Sequence, residues 1–209
     1  MDFIKKIQKY RDMEVKVLNS LDLESINNVM NVLEEARKNH RNIFICGNGG
    51  SAATASHYAC DFNKGVNMGL AGVSAHCFSD TKDASVAEIM AKKNINFYNF
   101  ECLSDNQPTL LAVANDEAYS EVFRFPLSVK MNKGDIVIGI SGSGNSSNVV
   151  NAMDYANAHG GTTIAIVGYD GGKMKKIADY CIHVDINDMQ VSEDVHMFLD
   201  HLMMWVLTH

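Results

Sequence analysis

Two groups of residues in this 209-residue chain have the types and spacing for chemistry. The first is Ser141-Gly142-Ser143-Gly144-Asn145-Ser146-Ser147, between the apolar run Asp135 to Ile140 and a helix expected to begin near Asn148. Serines and glycines at a strand-to-helix junction aim backbone N–H groups, hydroxyls and a positive helix end at one spot, which suits a dianionic phosphate. An ordinary Ser/Gly connection has the same composition. A second turn, Gly47-Asn48-Gly49-Gly50-Ser51 after Ile43-Phe44-Ile45-Cys46, repeats that chemistry.

The second group is titratable. His57 and Asp61 are spaced i, i+4 on the helix expected after the first turn, an arrangement that orients an imidazole, binds a metal, or is simply a solvated pair. Near the end of the chain, Val195 to Leu207 is apolar almost all round, which marks a buried helix with its own core on one side and another subunit on the other. Asp200 and His201 fall inside that run, where unpaired polar groups are costly; a core histidine satisfied by one hydrogen bond is one reading of His201. Glu193 precedes His201 by eight residues, roughly 80° around a helix, so both can line one side of a pocket. His57, Asp61, Glu193 and His201 together would suffice as N and O ligands for a divalent metal or as an acid/base set.

These residues need elements to position them. Periodicity predicts amphipathic helices over 3–18 and 24–38, the second capped by Ser20 or Asp22. Strands are expected at 43–46, 97–103, 135–140, 162–167 and 180–184, and helices at 52–63, 109–115, 148–158, 173–178 and 192–208, the last with a cap at Ser192 and Glu193. Gly65 to Gly72 reads as loop, and 83–93 as a short surface helix. Alternating strands and helices imply a parallel sheet covered on both faces, with ligands at the carboxyl ends of the strands. The expectation is one domain over 1–209, a helical hairpin in 1–40 and an α/β body in 41–209 with an insertion at 66–96.

Composition narrows the class. A formal net charge of −7 argues against a chain-wide nucleic-acid or anionic-membrane surface. Five cysteines without regular spacing, and no signal-like start, fit reduced thiols in a cytoplasmic protein. No apolar run approaches the length of a membrane helix. Twelve methionines, several on the last helix, suggest an adaptable apolar surface of the kind that subunits share.

Taken together, Gly47 to Ala53 with His57 and Asp61 downstream, Leu103-Ser104-Asp105, Ala114-Asn115-Asp116, Gly139 to Ser146, Asp170-Gly171-Gly172-Lys173 and Glu193-Asp194-Val195-His196 with His201 resemble the sugar-isomerase (SIS) domain proteins. Within them the pattern is similar to the phosphoheptose isomerases, which convert sedoheptulose 7-phosphate to heptose 7-phosphate. The resemblance implies a five-stranded parallel α/β sandwich of flavodoxin-like SIS type, assembled as a homotetramer with active sites at subunit interfaces. It implies phosphate binding by Ser104, Ser141, Ser143 and Ser146, and a sugar site lined by Asn48, Gly49, Gly50, Ser51, Asp105 and Glu193. It further implies Asp61 and His201 as the acid/base pair, and a divalent metal, zinc, on His57, Asp61, Glu193 and His201. Asp61 stands where the family has glutamate, Glu193 where it has glutamine, Gly142 where threonine is common and Gly65 where arginine often follows the first helix.

The implied reaction is aldose–ketose isomerisation through an enediol, one of Asp61 and His201 taking the proton alpha to the carbonyl while the other handles oxygen-bound protons. The competing expectation is a non-catalytic member that senses a phosphosugar or regulates a replication initiator. A nucleotide-binding domain is disfavoured because the first turn is neither GxGxxG nor a P-loop.

Overall fold

In a computed structural model, which describes residues 2–72, 88, 91 and 95–209, five strands form one parallel sheet. They are β1 (Ile43–Cys46), β2 (Phe100–Cys102), β3 (Ile136–Ser141), β4 (Thr162–Val167) and β5 (Tyr180–His183), in the spatial order β2-β1-β3-β4-β5. Register runs from Ile43 opposite both Phe100 and Ile136 to Val167 opposite His183. The order reverses between β1 and β3, and in such sheets the crevice outside the carboxyl ends at the reversal is where ligands bind. Both Gly/Ser turns leave the sheet there.

The helices are α1 (Ile4–Asn19), α2 (Leu23–Lys38), α3 (Gly50–Cys60), α4 (Gln107–Asp116), α5 (Arg124–Lys130), α6 (Ser147–Ala158), α7 (Met174–Ile177) and α8 (Met189–Thr208). Side chains alternate across each strand, so one apolar layer joins Ile43, Ile45, Ile138 and Ile164 to the helices α1, α2, α3 and α8. The other joins Phe44, Val137, Ala165 and Val167 to α4, α5, α6 and α7. This is the expected sandwich, with the N-terminal helices packed into its first layer.

Several boundaries differ from expectation. Asp22 caps α2 by accepting from the N–H groups of Glu24 and Ser25 at 3.0 and 3.3 Å. Helix α8 begins at Met189, three residues before the expected Ser192, because the Asp188 carboxylate accepts from Val191 N. Strand β2 is shorter than 97–103, and α5 with the 3₁₀ turn Tyr119–Glu121 was not legible in the sequence. The expected helix over 83–93 lies outside the described residues save Glu88 and Ala91.

The largest correction concerns 65–70, expected to be loop. The chain instead continues from α3 through a π-helical segment, Asp61–Val66, and one more α turn, Asn67–Leu70. Two asparagines on this extension bond the backbone of β2 and the residues before it. Asn63 donates to Phe100 O at 2.8 Å and accepts from Phe100 N at 2.9 Å; Asn67 does the same with Tyr98 at 2.9 and 2.8 Å. They act as a substitute strand along a sheet edge whose N–H and C=O groups would otherwise lack partners. Gly65 and Gly69 let α8 lie against the extension, since a Cβ on Gly65 would collide with Met204 and one on Gly69 would sit 2.9 Å from Thr208 Cγ2. That packing accounts for a glycine at position 65.

Candidate active site

The serine turn is held open by its own hydroxyls. Ser141 Oγ lies 3.1 Å from Ser146 Oγ and accepts from Gly144 N at 3.2 Å, while Ser143 Oγ accepts from Asn145 N at 3.3 Å. Ser146 is the N-cap residue of α6, yet its hydroxyl does not cap the helix. The N–H groups of Ser147 and Asn148, which no helical partner can satisfy, remain facing the turn, while Val149 N donates to Asn148 Oδ1 at 3.0 Å. Gly144 has φ +63°, and a Cβ there would run into Gly171 O. The Asp170–Lys173 turn clamps this backbone: Met174 N donates to Gly144 O at 3.0 Å and Lys173 N to Asn145 Oδ1 at 3.1 Å. Gly142 faces α8, where a Cβ on it would lie 2.5 Å from Met189 Sδ.

The two turns are fastened to each other by a reciprocal amide pair. Asn48 donates to Asn148 at 2.9 Å, Asn148 donates back at 2.8 Å, and Tyr119 OH donates to Asn48 Oδ1 at 2.9 Å. Asn148 and Tyr119 were not among the residues picked from the sequence; an asparagine beginning a helix reads as a capping group, and only the fold sets it against position 48. A cavity of 310 Å³ opens beside this pair, lined by Gly47, Asn48, Gly49, Ala52 and Ser104 among others. Ser104 donates to Gly47 O at 3.1 Å, and exposed Asp105 accepts from Ser56 Oγ at 3.2 Å. Ser51 is buried in the first turn of α3. A larger hollow, about 910 Å³, lies at the opposite ends of the strands beside Arg41, Gly134 and Asp179 and holds none of these residues.

Helix α3 brings His57 and Asp61 to α8, and there the titratable residues converge. His57 Nε2 lies 3.0 Å from His201 Nε2, 3.6 Å from Asp61 Oδ2 and 3.8 Å from Asp200 Oδ2. One donor atom from each of His57, Asp61, Asp200 and His201 lies within 4.8 Å of all the others. Two imidazole nitrogens facing each other at 3.0 Å can share one proton or one cation. Donors bound tetrahedrally at roughly 2.0–2.1 Å from an ion sit about 3.3 Å from one another, so this set fits a divalent metal. The exposure is graded: the His57 side chain is 41% exposed, Asp61 18% and Asp200 0%.

Asp200 is the residue that sequence reasoning noticed but left out of the site. Both of its carboxylate oxygens are buried without a hydrogen-bond partner. Burial, and after it the charge of Asp61, push its carboxyl up to about 8. The Tyr58 hydroxyl beside it is also buried and unpartnered, and burial raises its pKa well above the ordinary tyrosine value, with the Asp200 charge adding to the effect. The signal was available: a carboxylate in a helix apolar all round, next to a candidate histidine. Glu193, by contrast, is not among the four clustered donors. Its carboxylate lies over Gly50, where a Cβ would strike it, at the amino end of α3.

The chain is similar to known proteins in sequence and in fold. A family model for the SIS domain matches residues 121–200. The chain is 31% identical over 201 residues to a phosphoheptose isomerase of Aliarcobacter butzleri, covering 95% of this chain and 91% of the relative. It is 32% identical over 199 residues to one from Helicobacter pylori strain P12, covering 95% and 90%. In fold it is similar to the phosphoheptose isomerase GmhA from Neisseria gonorrhoeae, with a TM-score of 0.80 at 23% identity over 99% of this chain and 98% of that one. Through its relatives, its SIS-domain match and its five-stranded sheet, the chain belongs to the SIS-domain phosphoheptose isomerases, a family of sugar-phosphate isomerases.

Proposed function

We propose that the protein interconverts sedoheptulose 7-phosphate and its heptose 7-phosphate aldose by proton transfer through an enediol. The observation that carries this reading is the convergence of two imidazoles and two carboxylates at His57, Asp61, Asp200 and His201 in a chain whose relatives bear that activity in their names. A protein that only senses a phosphosugar needs a serine turn but no proton-transfer set. Ser104, Ser141, Ser143 and Ser146 hold the phosphate together with the amino end of α6, and Ser51 and Asn48 line the sugar site. Asp61 and His201 exchange protons with the substrate, because they lie on the accessible side of the cluster while Asp200 is enclosed. A divalent metal on the cluster, zinc by the choice of ligands, supplies polarisation of the carbonyl oxygen.

Assembly belongs to the same reading. Along α8, Met189 touches Gly142 at the serine turn and His201 lies in the cluster; twelve residues at 1.5 Å each separate them by about 18 Å along the axis. Such a spacing favours sites completed between subunits of a homotetramer. Phe198, Trp205 and Val206 on α8, Ile4 and Ile7 on α1 and Phe3 just before it are exposed apolar groups that such contacts would cover. The described cysteines, Cys46, Cys60, Cys102 and Cys181, are all free, which fits a reducing cytoplasm.

The test is turnover against a panel of ketose phosphates, with Asp61→Asn and His201→Ala alongside the wild type. Each variant is expected to lose about 10²- to 10⁴-fold in rate while keeping its circular dichroism and its oligomeric state. Tight phosphosugar binding with no turnover of any panel member would convert the reading to that of a sensor.

A further inference from the structure

We propose that Asp200, reaching the cluster from the buried side of α8, is the fourth ligand of a metal site with His57, Asp61 and His201, and that Glu193 is not a ligand. The inference rests on the reading of this cluster as the metal-assisted centre. It departs from the ligand set that the family resemblance implies.

The first argument is enclosure. A carboxylate with both oxygens buried and unpartnered is costly in a folded protein. Around Asp200 stand a like-charged neighbour, Asp61, an unpartnered hydroxyl, Tyr58 OH, and the His57 ring at 3.8 Å. None of these gives the carboxyl a hydrogen bond, and a dication held by the four residues would give it a partner.

The second argument is reach. Glu193 and His201 are eight residues apart on one continuous helix, about 12 Å along its axis. The fold settles what the angular estimate left open: the two side chains share a side of α8 but not a level. The Glu193 carboxylate lies beside Gly50 at the amino end of α3, a positive helix terminus that lacks a side-chain cap.

The third argument is size and charge. Asp61 is one methylene shorter than the glutamate of the family pattern, which leaves room for a second short acid inside the same 4.8 Å group. Two aspartates and two neutral imidazoles balance a dication, and their N and O donors suit zinc.

Cobalt(II) titration of chelator-treated protein tests this, read by visible absorption and by zinc competition. The wild type should bind one ion per chain. Asp200→Asn should weaken binding by about 100-fold and Glu193→Gln by less than about 3-fold. Thermal unfolding of each variant checks folding. Asp200→Cys provides a direct signature: a thiolate on cobalt adds an intense near-ultraviolet charge-transfer band that the wild type, with its native cysteines, lacks. Wild-type affinity in Asp200→Asn, a loss in Glu193→Gln as large as in Asp200→Asn, or no band in folded Asp200→Cys would each overturn the proposal. Turnover separates the two readings. Wild type that isomerises a ketose phosphate but binds no cobalt defeats the ligand proposal alone, whereas cobalt binding through Asp200 without turnover defeats the isomerase reading alone.

Discussion

Asp200 and His196 lie four residues apart on α8, both fully buried and both without a hydrogen-bond partner among the described residues. Burial favours the uncharged form of each, which moves their titrations in opposite directions. His196 is pushed down to about 4 by burial, offset in part by the main chain of Val167, which lies close without meeting hydrogen-bond geometry. An unfolded histidine binds a proton below about pH 6.5. The folded one resists until about pH 4, so the unfolded state binds more protons in that window and stability falls as pH falls through it. Urea unfolding is expected to show about 3 kcal/mol lost from this group between pH 6.5 and 4. His196→Leu should remove that component of the slope; an unchanged acid-side slope in the variant would rule His196 out as its source. At the serine turn, the two glycines differ in kind. Gly142 faces the movable end of Met189, whereas Gly144 faces backbone at positive φ, so a threonine at position 142 needs only a side chain to move.

At the scale of elements, α8 is the spine. Its successive residues meet Gly142, Gly168, Gly50, His57 and Gly65 through Met189, Ser192, Glu193, His201 and Met204. A continuous 20-residue helix therefore relates the serine turn to the cluster. The π-helical extension of α3 does comparable work at the sheet edge. Asn67 is buried and holds both the N–H and the C=O of Tyr98. Asn67→Leu strands both groups and is expected to cost about 2–4 kcal/mol in chemical unfolding. The turn after β2 should loosen with it, weakening phosphosugar binding through Ser104. A stability loss below about 0.5 kcal/mol would show that Asn67 does not hold this edge.

At the scale of the whole molecule, the sheet places two strand-to-helix turns side by side at its reversal point, while α1 and α8 expose apolar side chains on the outside. Trp205 is 60% exposed on the helix that carries the cluster. If the protein assembles as the tetramer proposed above, Trp205→Lys is expected to shift sedimentation to smaller species and, where sites form between subunits, to reduce turnover at least about 10-fold while the monomer fold persists. Tetramers of unchanged stability and rate would remove this face from the interface. No helix among the described residues is long and apolar enough to cross a membrane.

Much of this was legible in the residue order because its signals are local. Apolar runs bounded by Gly/Ser turns mark strands, 3.6-residue periodicity marks helices, and turn chemistry depends on neighbours in sequence. Those signals determined the parallel α/β class, the serine turn and the pairing of His57 with Asp61. What only the tertiary structure decided depends on which helices meet and at what height. It set His201 against His57, brought buried Asp200 into the cluster, left Glu193 over the amino end of α3, and continued α3 through a stretch whose glycines read as loop. α8 packs against those glycines from a segment more than 130 residues further along the chain.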